Sequence, residues 1–257
     1  MAGESWNTAI TSIAPNEIRV RGYRIDELMG GVSFGSTVYL ILRGELPSAA
    51  VGRVVEAMLV ASIDHGVTPP SALSVRNAAT TGAPLNACLA AGALAVNRHH
   101  GGAVEDCMKL LARGAAELAG GAAPAEAAVQ LIVEEKAAGR RLPGWGHRVH
   151  TDDPRSRRLL GLAREAGVAG AHVAVAEAIV GELAKGGKQL PLNVDGAIAA
   201  VLADLGFAPE LANGFFILAR TAGWMAHVAE ELSREKPMRR IDQSAAAYDG
   251  PPPRSVR

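Results

Sequence analysis

Glycine and proline residues divide this chain into segments whose apolar residues recur at helical spacing. Alanine is abundant, runs of β-branched residues are rare, and aromatic residues make up only 4% of the 257 positions, a composition that favours helices over strands. The fold class is therefore predicted to be mainly α. The predicted helices are Phe34–Leu42, Ala49–Ile63, Ala103–Leu118, Pro124–Ala138, Arg155–Ala166, Val173–Ala184, Val194–Leu205 and Pro209–Arg234.

Two further segments have their own signatures. Pro84–Val96 is apolar on all sides, which predicts a buried helix and makes it a candidate for a subunit interface. Pro209–Arg234 reads as one helix or as two that part at Asn213 and Gly214. The tail from Lys236 to Arg257 contains three consecutive prolines and is predicted to be irregular.

Composition excludes several classes of protein. Lys and Arg together number 26, as do Asp and Glu, so no basic field for nucleic acid is present. The start of the sequence lacks the pattern of a signal peptide, and the apolar stretch Leu85–Val96 is too short to span a bilayer. Cys88 and Cys107 have neither metal-ligand spacing nor a disulfide framework. We therefore expect buried thiols in a cytoplasmic protein without membrane or nucleic-acid partners.

His100 precedes Gly101 and Gly102, and two glycines allow a backbone to approach a ligand and then turn into a helix. A histidine placed there can offer a neutral N–H to a developing enolate, particularly near a helix N-terminus. The alternative is a histidine that caps the following helix. We interpret the neighbouring His99 as a solvated side chain.

His147 ends the turn Pro143-Gly144-Trp145-Gly146. Glycine turns expose backbone N–H groups, which suit a phosphate or the polar edge of a nucleotide. His147 can polarise a ketone or protonate an alkoxide; the alternative is an incidental histidine in a structural turn. His147 and His150 are three residues apart, as helical zinc ligands can be, but no acidic or sulfur partner has convincing spacing, so no metal is expected.

Asp195 lies at the edge of an apolar run, where a carboxylate must find a partner or perform chemistry. Partial loss of hydration makes a carboxylate a better base. The alternative is an N-cap for a helix that begins near Gly196.

Three cationic or polar side chains are candidates for binding carboxylates. Arg220 has apolar neighbours, and a buried arginine needs an anion. Arg155 follows Asp153 and Pro154; with Arg157 and Arg158 beside it, a solvated basic face is the alternative. His65 is a further candidate ligand, or else a polar residue that ends a helix.

Several motifs in order along the chain resemble the citrate synthase superfamily. RGYRIDELMGGVSFGSTVYLILRGEL at Arg21–Leu46 resembles its N-terminal segment. PGWGHRV followed by DPR, then NVD, then ARTAGWMAH resembles its second half. Only Ser48–Asp64 separate the Gly-Glu-Leu-Pro sequence at the end of this N-terminal segment from His65. This connection is shorter than in citrate synthases and similar to that of citryl-CoA lyases and of the citrate synthase-like module of ATP-citrate lyase.

The resemblance implies a helical fold with a shortened large domain (1–101 plus 207–257) and a small CoA-binding domain (102–206). It implies that Asp195 is the base on the thioester methyl carbon, that His100 binds the enol oxygen and that His147 acts on the oxaloacetate ketone. By the same resemblance, oxaloacetate carboxylates are bound by His65, Arg155 and Arg220, and Arg239 or Lys236 completes the site.

The backbone of Pro143, Gly144, Trp145 and Gly146 is then expected to contact the adenine end of CoA. No permanently bound cofactor is implied, since the CoA thioester is itself a substrate. The implied reaction forms or cleaves a carbon–carbon bond among citryl-CoA, acetyl-CoA and oxaloacetate, in a homodimer. Two alternatives remain: a synthase that uses another acyl-CoA such as propionyl-CoA, and a catalytically silent homologue that binds CoA or an organic acid.

Overall fold

The computed structural model describes residues 6–98, 100–147, 150–240, 242, 244 and 247–256. His99, interpreted above as a solvated neighbour, lies outside the described residues. Within them the chain is mainly helical, as the composition and periodicity predict. The helices are α1 (Ile25–Leu28), α2 (Phe34–Arg43), α3 (Ala49–Ala61), α4 (Pro70–Thr80), α5 (Leu85–Leu94), α6 (Ala103–Ala119), α7 (Pro124–Ala137), α8 (Pro154–Glu165), α9 (Ala171–Lys185), α10 (Val194–Asp204) and α11 (Ala212–Arg234).

Most helices begin and end near the glycine, proline and polar residues that predict their boundaries. Side-chain caps explain several of these boundaries. Ser48 accepts a hydrogen bond from the N–H of Val51 at the start of α3, and Gly44 ends α2 in the left-handed conformation. Of the two alternatives for Pro209–Arg234, the one with a break at Asn213 and Gly214 is wrong, because α11 is continuous through both residues.

Two elements are not predicted by the sequence pattern. Helix α4 buries mainly small residues, so its apolar periodicity is weak. Before α1, the short strands β1 (Thr11–Ala14), β2 (Glu17–Val20) and β3 (Tyr23–Arg24) form an antiparallel sheet in the order β1-β2-β3. They pair Thr11 with Val20 and Val20 with Tyr23.

Helix α10 forms the centre of the larger core and packs against α6, α8 and α9. Its residues from Ala197 to Leu202 are almost fully buried. The same core continues through α3 to α2, so the apolar contacts cross the proposed boundary near residue 102. The division into a large and a small domain stays a prediction.

A smaller cluster forms where α4, α5 and α11 meet around Trp224. Cys88 lies in this cluster and Cys107 in the larger core, and both thiols are free and fully buried, as expected. The irregular segment after α11 returns to the end of α4, where the N–H of Met238 donates to the carbonyl of Thr80 at 2.7 Å.

Helix α5 departs from expectation. Only Cys88 and Gly92 are buried, while Leu85 and Leu94 are 45% and 79% exposed. Burial of the whole helix within a single chain is therefore wrong, since only one face of α5 meets α4 and α11. A role at a subunit interface stays a prediction. None of the helices in the described part of the chain is long and apolar enough to cross a membrane.

Candidate active site

The segment before α6 folds back on itself and fixes His100. The N–H of His100 donates to the carbonyl of Asn97 and the N–H of Asn97 donates to the carbonyl of His100, both at 2.8 Å. The Nε2 atom of His100 lies 2.7 Å from the Ser71 hydroxyl in the first turn of α4. Gly102 occupies the N-cap of α6, so the alternative in which His100 caps that helix is wrong.

Gly101 is required by this fold of the backbone. Its φ is +75°, and a Cβ there would lie 2.8 Å from Val96 and 2.9 Å from the ring of Phe216. The same Phe216 ring contacts His100 edge-on, with ring centroids 5.8 Å apart. Burial lowers the pKa of His100, and the nearby Arg220 adds to the effect, so the imidazole is neutral at neutral pH.

The glycine turn packs directly on the N-terminus of α10. A Cβ at Gly144 would lie 2.7 Å from the Cα of Gly196, so two glycines are needed where the two segments meet. The N–H of Gly146 donates to the carbonyl of Pro191 at 2.8 Å, and the Asn193 side-chain amide donates to the carbonyl of Gly146 at 2.9 Å. The expectation that the turn leaves its glycine N–H groups open for a phosphate is therefore wrong for Gly146.

His147 lies in a group of three imidazoles. The rings of His147 and His150 have centroids 4.4 Å apart, and His65 approaches His147 edge-on at 5.5 Å. The N–H of His150 donates to the Nδ1 atom of His147 at 3.0 Å. Loss of hydration lowers the pKa of His147, and the charges of His150 and Arg155 lower it further. The sequence indicated His150 only as a possible zinc ligand together with His147. The contact between the two rings is a finding of the structure.

Asp195 lies in the first turn of α10, and Asn193 is the N-cap, with its side chain accepting from the N–H of Gly196 at 3.1 Å. The capping alternative for Asp195 is therefore wrong. Desolvation raises the pKa of Asp195, whereas the positive charges of Arg155 and Arg220 oppose that increase. The carboxyl group is thus in the environment expected of a base that can also hold a proton.

Arg155 differs from the arginines beside it. Its guanidinium forms two hydrogen bonds with Asp153, at 3.0 and 2.8 Å, and Asp153 also accepts from the N–H of Val194 at 3.2 Å. Side-chain exposure is 23% for Arg155 but 71% for Arg157, so the solvated-face alternative fits Arg157 and not Arg155. Asp153 thereby joins the start of α8 to the start of α10.

Arg220 is buried on α11 and lies across the Phe216 ring, with its guanidinium carbon 4.6 Å from the ring centroid. Its Nε–H donates to the carbonyl of Ser62 at 2.7 Å. The charges of Arg155 and Arg220 add to the loss of hydration in lowering the pKa of His65. Arg220 therefore belongs to the same electrostatic group as His65 and Asp195.

His65 lies on the link between α3 and α4, beyond the Ser62 cap of α3, so it does not end that helix. Asp64 fixes the link, because its carboxylate accepts from the N–H of Gly66 at 2.8 Å and from His227 on α11 at 2.9 Å. Asp64 and His227 are residues that the sequence pattern did not single out; their pairing spans 163 positions and only the fold brings them together.

Arg239 is separate from this cluster. Its guanidinium binds the buried carboxylate of Glu231, which also binds Arg76, and its N–H donates to the Thr80 hydroxyl at 2.8 Å. Thr80 ends α4 while Ser71, the partner of His100, begins it, which separates them by roughly 14 Å along the helix. The structure thus gathers the other predicted side chains and leaves Arg239 outside.

The assembled group contains three imidazoles with lowered pKa values, a desolvated carboxyl and two guanidinium groups. Such a set can abstract or return a proton beside a carbonyl, stabilise an enolate and bind carboxylates. Among the described residues, no group of three or more His, Cys, Asp or Glu side chains is arranged to hold a metal ion.

Comparison with known proteins gives a consistent result. The family model for the citrate synthase C-terminal domain matches residues 48–241. A putative citrate synthase 2 of Mycobacterium bovis is 33% identical over 210 residues, which cover 79% of this chain and 52% of that protein. The chain spans about half the length of such relatives.

Two solved structures are similar over nearly the whole chain. A citryl-CoA lyase from Hydrogenobacter thermophilus is 42% identical, with a TM-score of 0.88 and coverage of 98% of this chain and 97% of that one. An ATP citrate lyase of Methanosaeta concilii, solved with (3S)-citryl-CoA, is 22% identical with a TM-score of 0.84. The match covers 98% of this chain and 43% of the lyase chain, and at this identity it shows the fold alone. The family-model match extends over more than half of the residues, and the chain therefore belongs to the citrate synthase family.

Proposed function

We propose that the chain cleaves citryl-CoA to oxaloacetate and acetyl-CoA. The observation that carries this proposal is the common environment of His147, Asp195, Arg155 and Arg220, with His100 beside Arg220. The direction of reaction is supported by the match in length and identity with a citryl-CoA lyase.

Cleavage begins at the tertiary hydroxyl of citryl-CoA. The lowered pKa of His147 leaves a neutral imidazole. It accepts the hydroxyl proton at Nε2 after the hydrogen bond from the N–H of His150 to Nδ1 has opened, so that the ring proton lies on Nδ1. The bond between the carbinol carbon and the thioester α-carbon then breaks. Its electron pair moves into the thioester as an enolate, and the alkoxide becomes the ketone of oxaloacetate.

His100 and Asp195 complete the reaction on the thioester. The neutral His100 donates a hydrogen bond to the enolate oxygen; if the Ser71 hydroxyl donates to Nε2, the ring proton resides on Nδ1. The raised pKa of Asp195 allows it to carry the proton that converts the enolate to the methyl group of acetyl-CoA. Solvent returns the proton from His147 to Asp195 between turnovers, so the cleavage consumes no water.

Carboxylate recognition is assigned to Arg155, Arg220 and His65. Asp153 fixes the Arg155 fork, and the Ser62 carbonyl fixes Arg220, so both guanidinium groups are oriented before substrate binds. His65 is neutral near pH 7 because its pKa is lowered, and it contributes a hydrogen bond.

CoA is assigned to a cleft of 910 Å³ between the first half of α6 and the glycine turn. Pro143 and Gly102 line it, and so do the basic residues Arg98, Arg140 and Arg141. Guanidinium groups bind phosphates through paired hydrogen bonds, so Arg98 and Arg141 are suited to the phosphates of CoA, whereas the Arg140 guanidinium is already bound to Glu135. Contacts of Gly144, Trp145 and Gly146 with the adenine are part of the same proposal.

Assembly and the C-terminal arginine remain proposals as well. A homodimer would cover the exposed leucines of α5. Arg239, whose guanidinium is bound to Glu231 outside its own chain's cluster, would reach substrate only in the site of a partner copy.

The test supplies purified protein with citryl-CoA, or with acetyl-CoA plus oxaloacetate, and measures oxaloacetate, citrate and free thiol in parallel. Oxaloacetate from citryl-CoA with little free CoA supports the lyase. Rapid release of CoA and citrate from the second mixture contradicts it and identifies a synthase, which must also hydrolyse the thioester. Absence of turnover in both mixtures favours a silent homologue.

A second candidate is a synthase that uses propionyl-CoA. A 2-methylcitrate synthase of Shewanella oneidensis is 30% identical over 244 residues, which cover 91% of this chain and 60% of that protein. Repeating the condensation assay with propionyl-CoA distinguishes this candidate, because a preference for the longer acyl chain would appear as a higher kcat/KM.

A further inference from the structure

One face of α11 holds the link between α3 and α4, the segment that carries His65. The Nε–H of Arg220 donates to the Ser62 carbonyl at 2.7 Å. Seven positions later in α11, the Nε2 atom of His227 lies 2.9 Å from the Oδ1 atom of Asp64. Residues seven apart lie on the same side of a helix, so α11 binds the link at two points that precede His65.

Gly223 lies between these two points and brings the helix against the backbone of the link. A Cβ at position 223 would lie 2.3 Å from the carbonyl oxygen of Ile63 and 3.0 Å from the Asp64 carboxylate. The helix and the link are therefore in direct backbone contact, which the hydrogen bond from Arg220 reinforces. The Asp64 side chain is 40% exposed, so hydrogen bonds rather than packing determine its orientation.

Each carboxylate oxygen of Asp64 accepts one hydrogen bond. Oδ2 accepts from the N–H of Gly66 at 2.8 Å, and Oδ1 faces the ring of His227. Loss of hydration opposes ionisation, but these hydrogen bonds outweigh it and lower the pKa of Asp64. The group is therefore a carboxylate at neutral pH.

The surroundings of His227 place its ring proton on Nε2. The side chain is 8% exposed, and Nδ1 is buried without a hydrogen-bond partner among the described residues. A neutral ring with its proton on Nδ1 would bury an N–H without an acceptor and would turn the lone pair of Nε2 toward the Asp64 carboxylate. His227 therefore donates from Nε2 to Asp64.

Arg220 is an alternative partner for the same carboxylate. After loss of hydration, which lowers the pKa of Arg220, the charge of Asp64 has the largest influence on that pKa and raises it. The two groups are nevertheless not at ion-pair distance, and no acceptor among the described residues binds the Nη atoms of Arg220. A buried guanidinium attracts any carboxylate within reach, so Asp64 would compete with substrate if His227 did not hold it.

We propose that His227 is a positioning residue that keeps the Asp64 carboxylate from pairing with Arg220, so that the Nη atoms of Arg220 remain available to a carboxylate of oxaloacetate. The inference rests on the proposed function, which assigns Arg220 to carboxylate recognition. Without the His227 donor, the Asp64 side chain turns toward Arg220, while the contacts at Ser62 and Gly223 keep the backbone of the link in place.

The test is titration calorimetry of the full chain with oxaloacetate and, separately, with CoA. His227→Leu and His227→Phe remove the donor, so each should weaken oxaloacetate binding by about tenfold and leave CoA binding unchanged. His227→Gln retains an N–H donor and should weaken oxaloacetate binding by less than about threefold. In the cleavage assay, the KM for citryl-CoA should rise in the two donor-free variants while kcat stays nearly unchanged, because a carboxylate contact stabilises substrate and transition state alike.

A second substitution separates competition from loss of structure. Asp64→Asn removes the charge that competes for Arg220, so His227→Leu combined with Asp64→Asn should bind oxaloacetate within about threefold of the wild type. Val228→Ala is the matched control, because Val228 follows His227 in α11, is 4% exposed and packs in the cluster around Trp224. It should lower the melting temperature and leave the oxaloacetate affinity unchanged.

Three results would overturn the inference while the wild type remains active. They are full oxaloacetate affinity in both His227→Leu and His227→Phe, no recovery when Asp64→Asn is added to His227→Leu, and an equal loss of affinity in Val228→Ala. A wild type that neither binds oxaloacetate nor cleaves citryl-CoA would overturn the proposed function itself, and this inference with it.

Discussion

The Ser71 hydroxyl and the Nε2 atom of His100 lie 2.7 Å apart and join the first turn of α4 to the segment that precedes α6. The two residues are 29 positions apart in the sequence. Ser71 is fully buried, so its hydroxyl is held toward the ring and fixes the orientation of the imidazole. When it donates to Nε2, as the proposed mechanism requires, it also places the ring proton on Nδ1. Ser71 is therefore a positioning residue in the proposed mechanism.

Replacement of Ser71 by alanine should lower kcat by about ten- to a hundredfold while KM changes little, because enolate stabilisation depends on the placement of His100. Nitrogen NMR of the histidines should show a changed tautomer for His100. Ser74→Ala is the control: Ser74 is partly exposed on the same helix, and its hydroxyl donates to the Pro70 carbonyl. Equal kcat values for the two variants would argue against the positioning role.

Asp195→Asn should lower turnover by about a thousandfold, because the amide can neither take nor return the proton at the thioester α-carbon. Binding of CoA and oxaloacetate should persist, since Arg155 is held by Asp153 and Arg220 by Ser62. Single-turnover kinetics and calorimetry measure the two quantities separately. Retained turnover would remove Asp195 from the mechanism, and loss of both quantities would indicate a structural role.

The pH dependence follows from the three histidines, because the pKa values of His65, His100 and His147 all lie below the ordinary 6.5. Each group acts in its neutral form, which is lost as the pH falls through the lowered pKa. The acid limb of kcat/KM should therefore lie below pH 6.5. Arg155→Gln removes a positive charge that lowers the pKa of His65 and His147, so that variant should move the limb to higher pH.

Arg157→Gln is the matched control for the pH experiment, since Arg157 follows in the same helix but is largely exposed and pairs with Asp152. Its kcat/KM profile should overlay that of the wild type. If the acid limb of kcat/KM in Arg155→Gln lies at the same pH as in the wild type, the charge of Arg155 does not affect the pKa of the histidines that determine the limb.

The sequence predicts the helices well where glycine, proline or a polar cap bounds an apolar repeat, as at Ser48 and Gly44. It fails at α4, whose buried residues Ala72, Val75 and Ala79 are too small to produce a clear pattern. The three-stranded sheet before α1 is missed because its strands have at most four residues and are mostly exposed.

Within the candidate site, the motifs predict the chemically active residues but not what holds them. Nothing local shows that Asn193 rather than Asp195 caps α10, since both are favourable cap residues. The partners Ser71 of His100 and His227 of Asp64 come from distant segments, so only tertiary structure brings them into contact. Arg239 was predicted from its place in a motif, and only the tertiary structure shows that it lies outside the cluster.

Glu135, which lines the cleft assigned to CoA, offers a test of stability that needs no substrate. Its buried carboxylate accepts hydrogen bonds from Arg140 and Arg113, and these partners, Arg140 foremost, lower its pKa from 4.5 to about 2. A lowered carboxyl pKa stabilises the folded state above the unfolded value of 4.5, and this stabilisation is lost as the pH falls from 4.5 towards 2. Both arginines are about half exposed, so solvent screening limits the contribution.

Glu135→Gln should therefore lower the free energy of unfolding by about 1 kcal/mol at pH 7, and by progressively less as the pH approaches 2. Urea denaturation at several pH values measures both changes. Glu134→Gln is the control, because Glu134 also binds Arg113 but is 43% exposed, and it should change the free energy by less than about 0.5 kcal/mol. Equal losses in the two variants, or a loss in Glu135→Gln that does not depend on pH, would mean that burial of Glu135 rather than its charge stabilises the end of α7.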